Sequence, residues 1–349
     1  MPRPALAGVA ALAALVACGC GSAEAPGTVE VLPFADAAGE PCDRACLLDL
    51  SEQYIAALVA KDPGRLPLAD GTVVYTENGQ RLELGDGFWN SVSGRGTYRL
   101  DVADPTAGQI VSINTMREAG TPMILVTRLK VRDRRITEIE TQLAHSEGVA
   151  NGFEALGQPR EAFGRETPPD RRASRDELVR VANMYFSGMQ LNDGQGEYPF
   201  ADDCDRIENG GRSTNAPGRG GAPRPDPKTA TSYSGRWTCR EQFESGLLHF
   251  VSRIRDRRYV AVDEERGLVM AFVFFDHDAG ASRTFQTPDG RTVTAGPVTP
   301  WTWQIAELFK VEDGLLHEIE AVLERVPYGM TSGWSGWEDG MSDAIQFEG

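Results

Sequence analysis

Tyr75-Thr76-Glu77-Asn78-Gly79 ends in a triplet that returns 131 residues later as Glu208-Asn209-Gly210. Tyr54 and Asp62 recur at the same offset as Tyr185 and Asp193. Farther on, Asp104 and Gly108 match Asp263 and Gly267 at an offset of 159. Lys130-Val131 and Glu138-Ile139-Glu140 match Lys310-Val311 and Glu318-Ile319-Glu320 at an offset of 180. One unit is therefore used twice, and the second copy carries insertions of 28 and 21 residues. The first insertion falls at 211–236, the second near 277–300, and both have the composition of loops.

Apolar spacing orders the elements within each unit. Leu47, Leu50, Tyr54, Ala57 and Leu58 make a helical stripe over 45–61, and Leu178, Ala182, Tyr185, Phe186 and Met189 make its counterpart over 175–191. Asp43 and Ser174 are the expected N-caps. A strand ending in Glu-Asn-Gly and a short helix follow. Antiparallel strands are then expected over 108–118, 123–132 and 135–143 in the first copy, and over 268–275, 301–311 and 315–323 in the second. Asn78-Gly79 and Asn209-Gly210 are type I′ hairpin signals, which is reason enough for them to recur. Helices first and a curved antiparallel sheet after make an α+β unit of about 105 residues. The expected organisation is a leader over 1–17, a tether over 18–41, domain 1 over 42–147, a linker over 148–173, domain 2 over 174–326 and an aromatic tail over 327–349.

This order of elements resembles the NTF2-like (SnoaL-like) superfamily, whose cone-shaped α+β fold is shared by SnoaL-like cyclases, ketosteroid isomerase and scytalone dehydratase. More narrowly, Tyr75-Thr76-Glu77-Asn78-Gly79, Gly85-Asp86-Gly87-Phe88-Trp89, Thr302-Trp303-Gln304-Ile305-Ala306-Glu307-Leu308-Phe309-Lys310 and Pro327-Tyr328-Gly329-Met330 resemble segments of an uncharacterised two-repeat family of exported fungal and bacterial proteins. The resemblance implies two tandem cones packed as an intramolecular pseudo-dimer, and hence a monomeric chain. It implies no single function, because the superfamily holds enzymes, transport factors and binding modules.

The N-terminus reads as an address. Arg3 precedes the apolar run Ala5–Ala17, too short to span a bilayer, and Leu15-Val16-Ala17-Cys18 looks like a bacterial lipobox. Cys18 is the expected lipidation site, with Cys20 a poorer fit and plain secretion the alternative, so the membrane is met through lipid only. Without residues 1–17 the chain has 34 basic and 51 acidic residues, a charge of −17, which argues against a nucleic-acid partner. Cys42, Cys46, Cys204 and Cys239 remain in an oxidising compartment. Pairing within each structural unit favours Cys42–Cys46 and Cys204–Cys239. No metal-ligand spacing is present, and Asp276-His277-Asp278 reads as an exposed turn.

Polar residues in phase with apolar strand faces are the candidates for chemistry. Trp303, Ile305, Glu307, Phe309 and Val311 share one face, so Glu307 is expected to lose hydration and act in proton transfer unless an arginine such as Arg257 or Arg258 pairs with it. Its first-copy counterpart is Thr127. His145 is expected at the inner end of the face carrying Ile139, Thr141 and Leu143. Tyr75 with Glu77, and Arg206 with Glu208, share phase on the first strands, while Tyr54 and Tyr185 point from the long helices as further binding groups. Trp334 either stacks on a ligand ring or packs across the seam between the domains. The basic 211–236 loop is either a lid over an anionic ligand or a disordered insertion.

No Walker loop, nucleophile elbow or dinucleotide fingerprint occurs. The residues point to a cofactor-free lyase, dehydratase or isomerase acting on a small cyclic or carbohydrate-derived molecule, with Glu307 as proton-transfer residue and His145 and Tyr75 as first-copy candidates. A non-enzymatic module binding a small molecule or an envelope partner is the alternative.

Overall fold

Strand alternation decides which side of each sheet meets which partner. The computed structural model describes residues 41–218 and 220–347, so the leader, nearly all of the tether and Cys18 lie outside the described residues. The first copy runs through α1 (Arg44–Val59), β1 (Val74–Glu77), β2 (Gln80–Arg81), α2 (Phe88–Ser91), β3 (Val92–Asp104), β4 (Gln109–Glu118), β5 (Thr121–Arg132) and β6 (Arg135–Ala144). Between the copies lie α3 (Glu147–Leu156) and α4 (Glu161–Gly164). The second copy begins with α5 (Arg175–Leu191), β7 (Phe200–Glu208), β8 (Gly211–Arg212) and α6 (Cys239–Glu244). It continues with β9 (Arg253–Asp263), β10 (Leu268–His277), β11 (Thr284–Gln286), β12 (Thr292–Thr294), β13 (Trp301–Glu312) and β14 (Leu315–Val326), after which come α7 (Trp337–Gly340) and β15 (Ile345–Phe347). The class is α+β, with two large sheets compatible with two tandem units. Asp43 and Ser174 cap the long helices, accepting from Cys46 N at 2.9 Å and Glu177 N at 3.3 Å.

The sheets run β2-β1-β6-β5-β4-β3 and β15-β9-β10-β13-β14-β7-β8. They are mixed, which corrects the expected all-antiparallel arrangement: β1 lies parallel to β6, and β7 parallel to β14. Turn signals report only strands adjacent in sequence, whereas here the first strand of a unit pairs with its last. Two strands, β3 and β9, were not expected at all. Glycines and charges hide β3, and β9 carries Arg255, Arg257 and Arg258, all buried.

Both Asn-Gly pairs form two-residue hairpins, with Asn78 and Gly79 at φ 46° and 75° and Asn209 and Gly210 at 50° and 71°. The asparagines also extend the parallel ladder once the main chain has turned away. Leu143 N donates to Asn78 Oδ1 at 2.7 Å, and Leu323 N to Asn209 Oδ1 at 2.8 Å.

Each sheet buries both faces. In the second, Val269, Ala271 and Phe275 of β10 join Ile305 and Phe309 of β13 beneath α5. The alternate residues Met270, Phe272, Ala306, Leu308 and Val322 pack against Val102, Val111, Ile113, Ile124 and Val126 of the first sheet. Within this seam, Glu140 receives both Arg258 guanidinium nitrogens at 2.8 and 2.7 Å and Arg128 Nε at 2.8 Å. Tyr98 of the first copy donates to Glu320 of the second.

The segment that follows each copy clasps the hairpin of the other. Helix α3, in what was expected to be a plain linker, lays Gly152 and Phe153 on Gly210, where a Cβ would lie 2.3 Å from their main chain. The tail lays Thr331 and Gly333 on Gly79, where a Cβ would lie 2.5 Å from Thr331 O. Trp334 belongs to this clasp: its Nε1 donates to Thr76 Oγ1 at 2.9 Å, and the Arg128 guanidinium lies 4.4 Å from its ring centre. Beyond it, β15 extends the second sheet in parallel with β9.

The disulfides are Cys42–Cys46 and Cys204–Cys239, the pairing favoured by sequence. The second insertion is not a plain loop but contains the β11–β12 hairpin. Among the described residues no helix is long and apolar enough to cross a membrane.

Removing Glu140 takes away the carboxylate that the buried guanidiniums of Arg258 and Arg128 share. Glu140→Ala is therefore expected to cost about 3–5 kcal/mol in urea unfolding. A loss below 1 kcal/mol, the scale of an exposed pair, would count against this seam.

Candidate functional site

Three elements of the second copy converge beneath α5. Tyr185 descends from the buried stripe of α5, Arg206 and Glu208 stand two residues apart on β7, and Glu307 projects from β13 on the face that carries Trp303 and Ile305. They surround a cavity of about 40 Å³. Tyr185, Arg206, Glu208 and Glu307 line its polar end, Phe250, Phe275, Trp303 and Ile305 its apolar wall, and Tyr233 of the first insertion also lines it.

Glu307 is 2% exposed, and its Oε2 has no hydrogen-bond partner. Burial pushes its carboxyl up to about 8, and the negative charge of Glu208 adds to the rise; Arg206 and a hydrogen bond with Tyr185 oppose it. At neutral pH the protonated form therefore dominates. Arg206 is fully buried, and its guanidinium is fixed on several sides. Nη1 donates to the Tyr185 hydroxyl at 3.0 Å, Nε donates to Ser213 Oγ at 2.9 Å and pairs with Glu208 at 3.2 Å, and Nη2 donates to Gln242. Burial raises the Tyr185 phenol well above its ordinary range, so it stays protonated and can both accept from Arg206 and donate to Glu307. With Arg206 and Glu208 opposed and Glu307 neutral, the polar end holds little net charge at pH 7.

Four of the residues singled out by sequence, Tyr185, Glu208, Trp303 and Glu307, meet in this cavity. The arginines expected to neutralise Glu307 are engaged elsewhere: Arg257 with Asn183, Ser187 and Gln190 on α5, and Arg258 with Glu140 across the seam. The cation beside Glu307 is instead Arg206, which strand phase had already placed next to Glu208. Tyr233 and Phe250 were missed, since nothing in an irregular segment indicates which way a ring will point.

The first-copy candidates do not join them. The Tyr75 hydroxyl donates to Glu77 at 3.0 Å, and the same carboxylate oxygen accepts from Phe88 N at the start of α2 at 2.8 Å. Tyr54 packs edge-on against Trp89, with ring centres 5.7 Å apart. His145 is corrected from inner face to surface: β6 ends at Ala144, and the exposed imidazole pairs with Glu118 at 3.1 Å. Asp276-His277 is likewise not an exposed turn. Asp276 accepts from Arg253, Arg255 and Thr302, while His277 is buried against Trp301 at 4.0 Å, and burial lowers its imidazole to about 4. In the basic insertion, Arg212 pairs with Asp205, Arg224 pairs with Glu241, and Arg236 donates to the carbonyls of Ala222 and Pro223. These three arginines are thus taken up by neighbouring protein groups and do not form an open anion cradle. Among the described residues no group of three or more His, Cys, Asp or Glu side chains is arranged to hold a metal ion.

Residues 171–323, the second copy, match a family model described as Domain of unknown function (DUF8021). No curated protein sequence matches the chain. Among solved structures the chain is similar to AclR from Streptomyces galilaeus, whose own description as a hydroxylase is provisional. That likeness has 13% identity and a TM-score of 0.27, and covers 44% of this chain and 83% of AclR, too slight to bear on fold or function.

Proposed function

We propose that the second copy is the general acid–base site of a lyase, dehydratase or isomerase acting on a small cyclic or carbohydrate-derived molecule. In this reading the two units are NTF2-like cones, and the chain is exported and held on the cell envelope by lipid at Cys18. Element order, repeated twice, supports the cones, and two disulfides are in keeping with an oxidising compartment.

A single observation carries the catalytic reading: the Glu307 carboxyl is buried and raised, with one oxygen unsatisfied by protein at the edge of a cavity. Below about pH 8 it can donate its proton to a leaving hydroxyl or a carbonyl oxygen of the ligand. The carboxylate left behind is held by the Tyr185 hydroxyl and the charge of Arg206, and it can then remove a proton from the neighbouring carbon of the ligand. Acid and base are then the same group, returned to its starting state. The first copy acts as scaffold, since Glu77 is taken up by Tyr75 and Phe88 N and Thr127 stands in the place of Glu307.

A carbon-13 NMR titration of the Glu307 carboxyl is expected to give a pKa near 8, and a value near the ordinary 4.3 or so would remove the basis of the proposal. Because the folded value lies above the unfolded one, the carboxyl destabilises the fold increasingly as pH rises from about 4.5 to 8. Glu307→Gln is therefore expected to stabilise the protein at pH 8 by on the order of a few kcal/mol, with the two melting curves converging near pH 4.

Incubating the purified protein with pooled envelope metabolites and glycans, followed by mass spectrometry, is expected to show converted species with the native protein and none with Glu307→Gln. Equal conversion by both would refute the role of Glu307.

A further inference from the structure

The cavity is too small for an organic ligand. About 40 Å³ holds a few water molecules at most, whereas pockets for organic ligands run to roughly 300–1,000 Å³. Something must move, and Tyr233 is held differently from the rest of the wall. Phe275 and Trp303 ride on the paired strands β10 and β13. Tyr233 comes from the first insertion and is 38% exposed, with its phenol close enough to Glu208 and Arg206 to feel both charges.

The chain on either side of it is anchored. Ala230 of the first insertion and Trp237 and Leu247 beyond its end pack with Phe285 and Val293 of the second, so the two extra segments share a small core. Arg291 of the second insertion donates to the carbonyls of Pro227 and Ala230 in the first. Trp237 Nε1 donates to Pro225 O at 2.7 Å, and Gln242 Nε2 to Ser234 O at 2.9 Å. The chain is therefore fixed at Ala230 and again at Ser234. Between these points Thr231, Ser232 and Tyr233 are all exposed and, among the described residues, make no hydrogen bond. Gln242 also receives Arg206 Nη2, so one anchor of this strap rests on the polar end of the cavity.

We propose that Tyr233 is the gate of the cavity, its ring closing the mouth and the three-residue strap Thr231–Tyr233 swinging between fixed ends to open it. No hydrogen bond has to break for the ring to leave. The gate is aromatic and not electrostatic, since Arg212, Arg224 and Arg236 are engaged by neighbouring protein groups. It goes beyond the acid–base reading and stands whether or not Glu307 performs chemistry.

Met189 reports on access directly, because it lines the cavity yet is only 4% exposed. Hydrogen peroxide converts methionine to its sulfoxide, and peptide mass spectrometry reads each methionine separately. Met116, in the first-copy core, and Met270, in the seam, serve as standards for global loosening. Tyr233→Ala is expected to speed oxidation of Met189 several-fold relative to Met116 and Met270, while Tyr233→Phe, which keeps the ring, retains the native rate. An unchanged Met189 rate in the alanine variant overturns the gate. So does a rise shared equally by Met116 and Met270, or equal opening by the phenylalanine variant. None of these outcomes depends on the protonation of Glu307 or on turnover.

Discussion

A sheet that is apolar on both faces must be covered on both. In each copy one face lies under the copy's own long helix, and the other is left for the opposite sheet and for the linker helices, whose Ala150, Phe153 and Phe163 join the seam. The back faces of the two sheets therefore cover one another, Val111, Ile113 and Val126 against Met270, Phe272 and Leu308. Because apolar burial is the dominant favourable contribution to folding, this mutual cover ties the stability of each copy to the presence of the other. The remaining features of the seam follow from it. Buried Arg258 is met by Glu140 from the other sheet, and Tyr98 reaches across to buried Glu320. The exchanged clasps, α3 on the second hairpin and the tail on the first, add a geometric lock in which glycine is needed at Gly210 and Gly79 to allow the close approach.

On this shared frame the two copies handle their inward polar groups in opposite ways. In the first, Tyr75 and Glu77 satisfy each other and the start of α2, and Trp89 packs against Tyr54. In the second, Arg206 replaces Tyr75 and Glu307 replaces Thr127 at the corresponding strand positions. Arg206 is matched by Tyr185, Ser213, Gln242 and Glu208, which leaves Glu307 as the carboxyl without a counter-charge of its own. A raised pKa is the physical result, and it is a strain on stability that the fold bears at this site. The insertions belong to the same asymmetry, since they build a second small core beside the cavity and bring an aromatic ring to line it.

Much of this was legible residue by residue. The 131-residue spacing pointed to two related units, with which the two large sheets are compatible, and strand phase placed Glu307 among Trp303, Ile305 and Phe309 on a buried face. The Asn-Gly pairs foretold their hairpins, although the use of Asn78 and Asn209 to extend the parallel ladder did not show, because it depends on a strand more than sixty residues further along. Strand phase overran at His145, where extrapolation continued one residue past the end of β6 and turned a surface histidine into an interior one. Composition misled at β9, where arginines that suggest solvent are buried against partners distant in sequence, and at Asp276-His277, where charges that suggest a turn close a strand.

Local sequence determined what depends on neighbours along the chain: the periodicity of helices and strands, the caps at Asp43 and Ser174, the tight turns, and which residues share a face. Tertiary structure alone decided what depends on distant partners. It paired the first strand of each copy in parallel with the last, set the sheets back to back, gave Arg258 to Glu140 and Arg206 to the cavity, and laid Tyr233 beside Glu208. The reason is physical. A backbone conformation is set by interactions a few residues long, whereas the ionisation of a buried carboxyl or the direction of an arginine is set by which charges arrive from elsewhere, and a pattern read along one strand does not contain them.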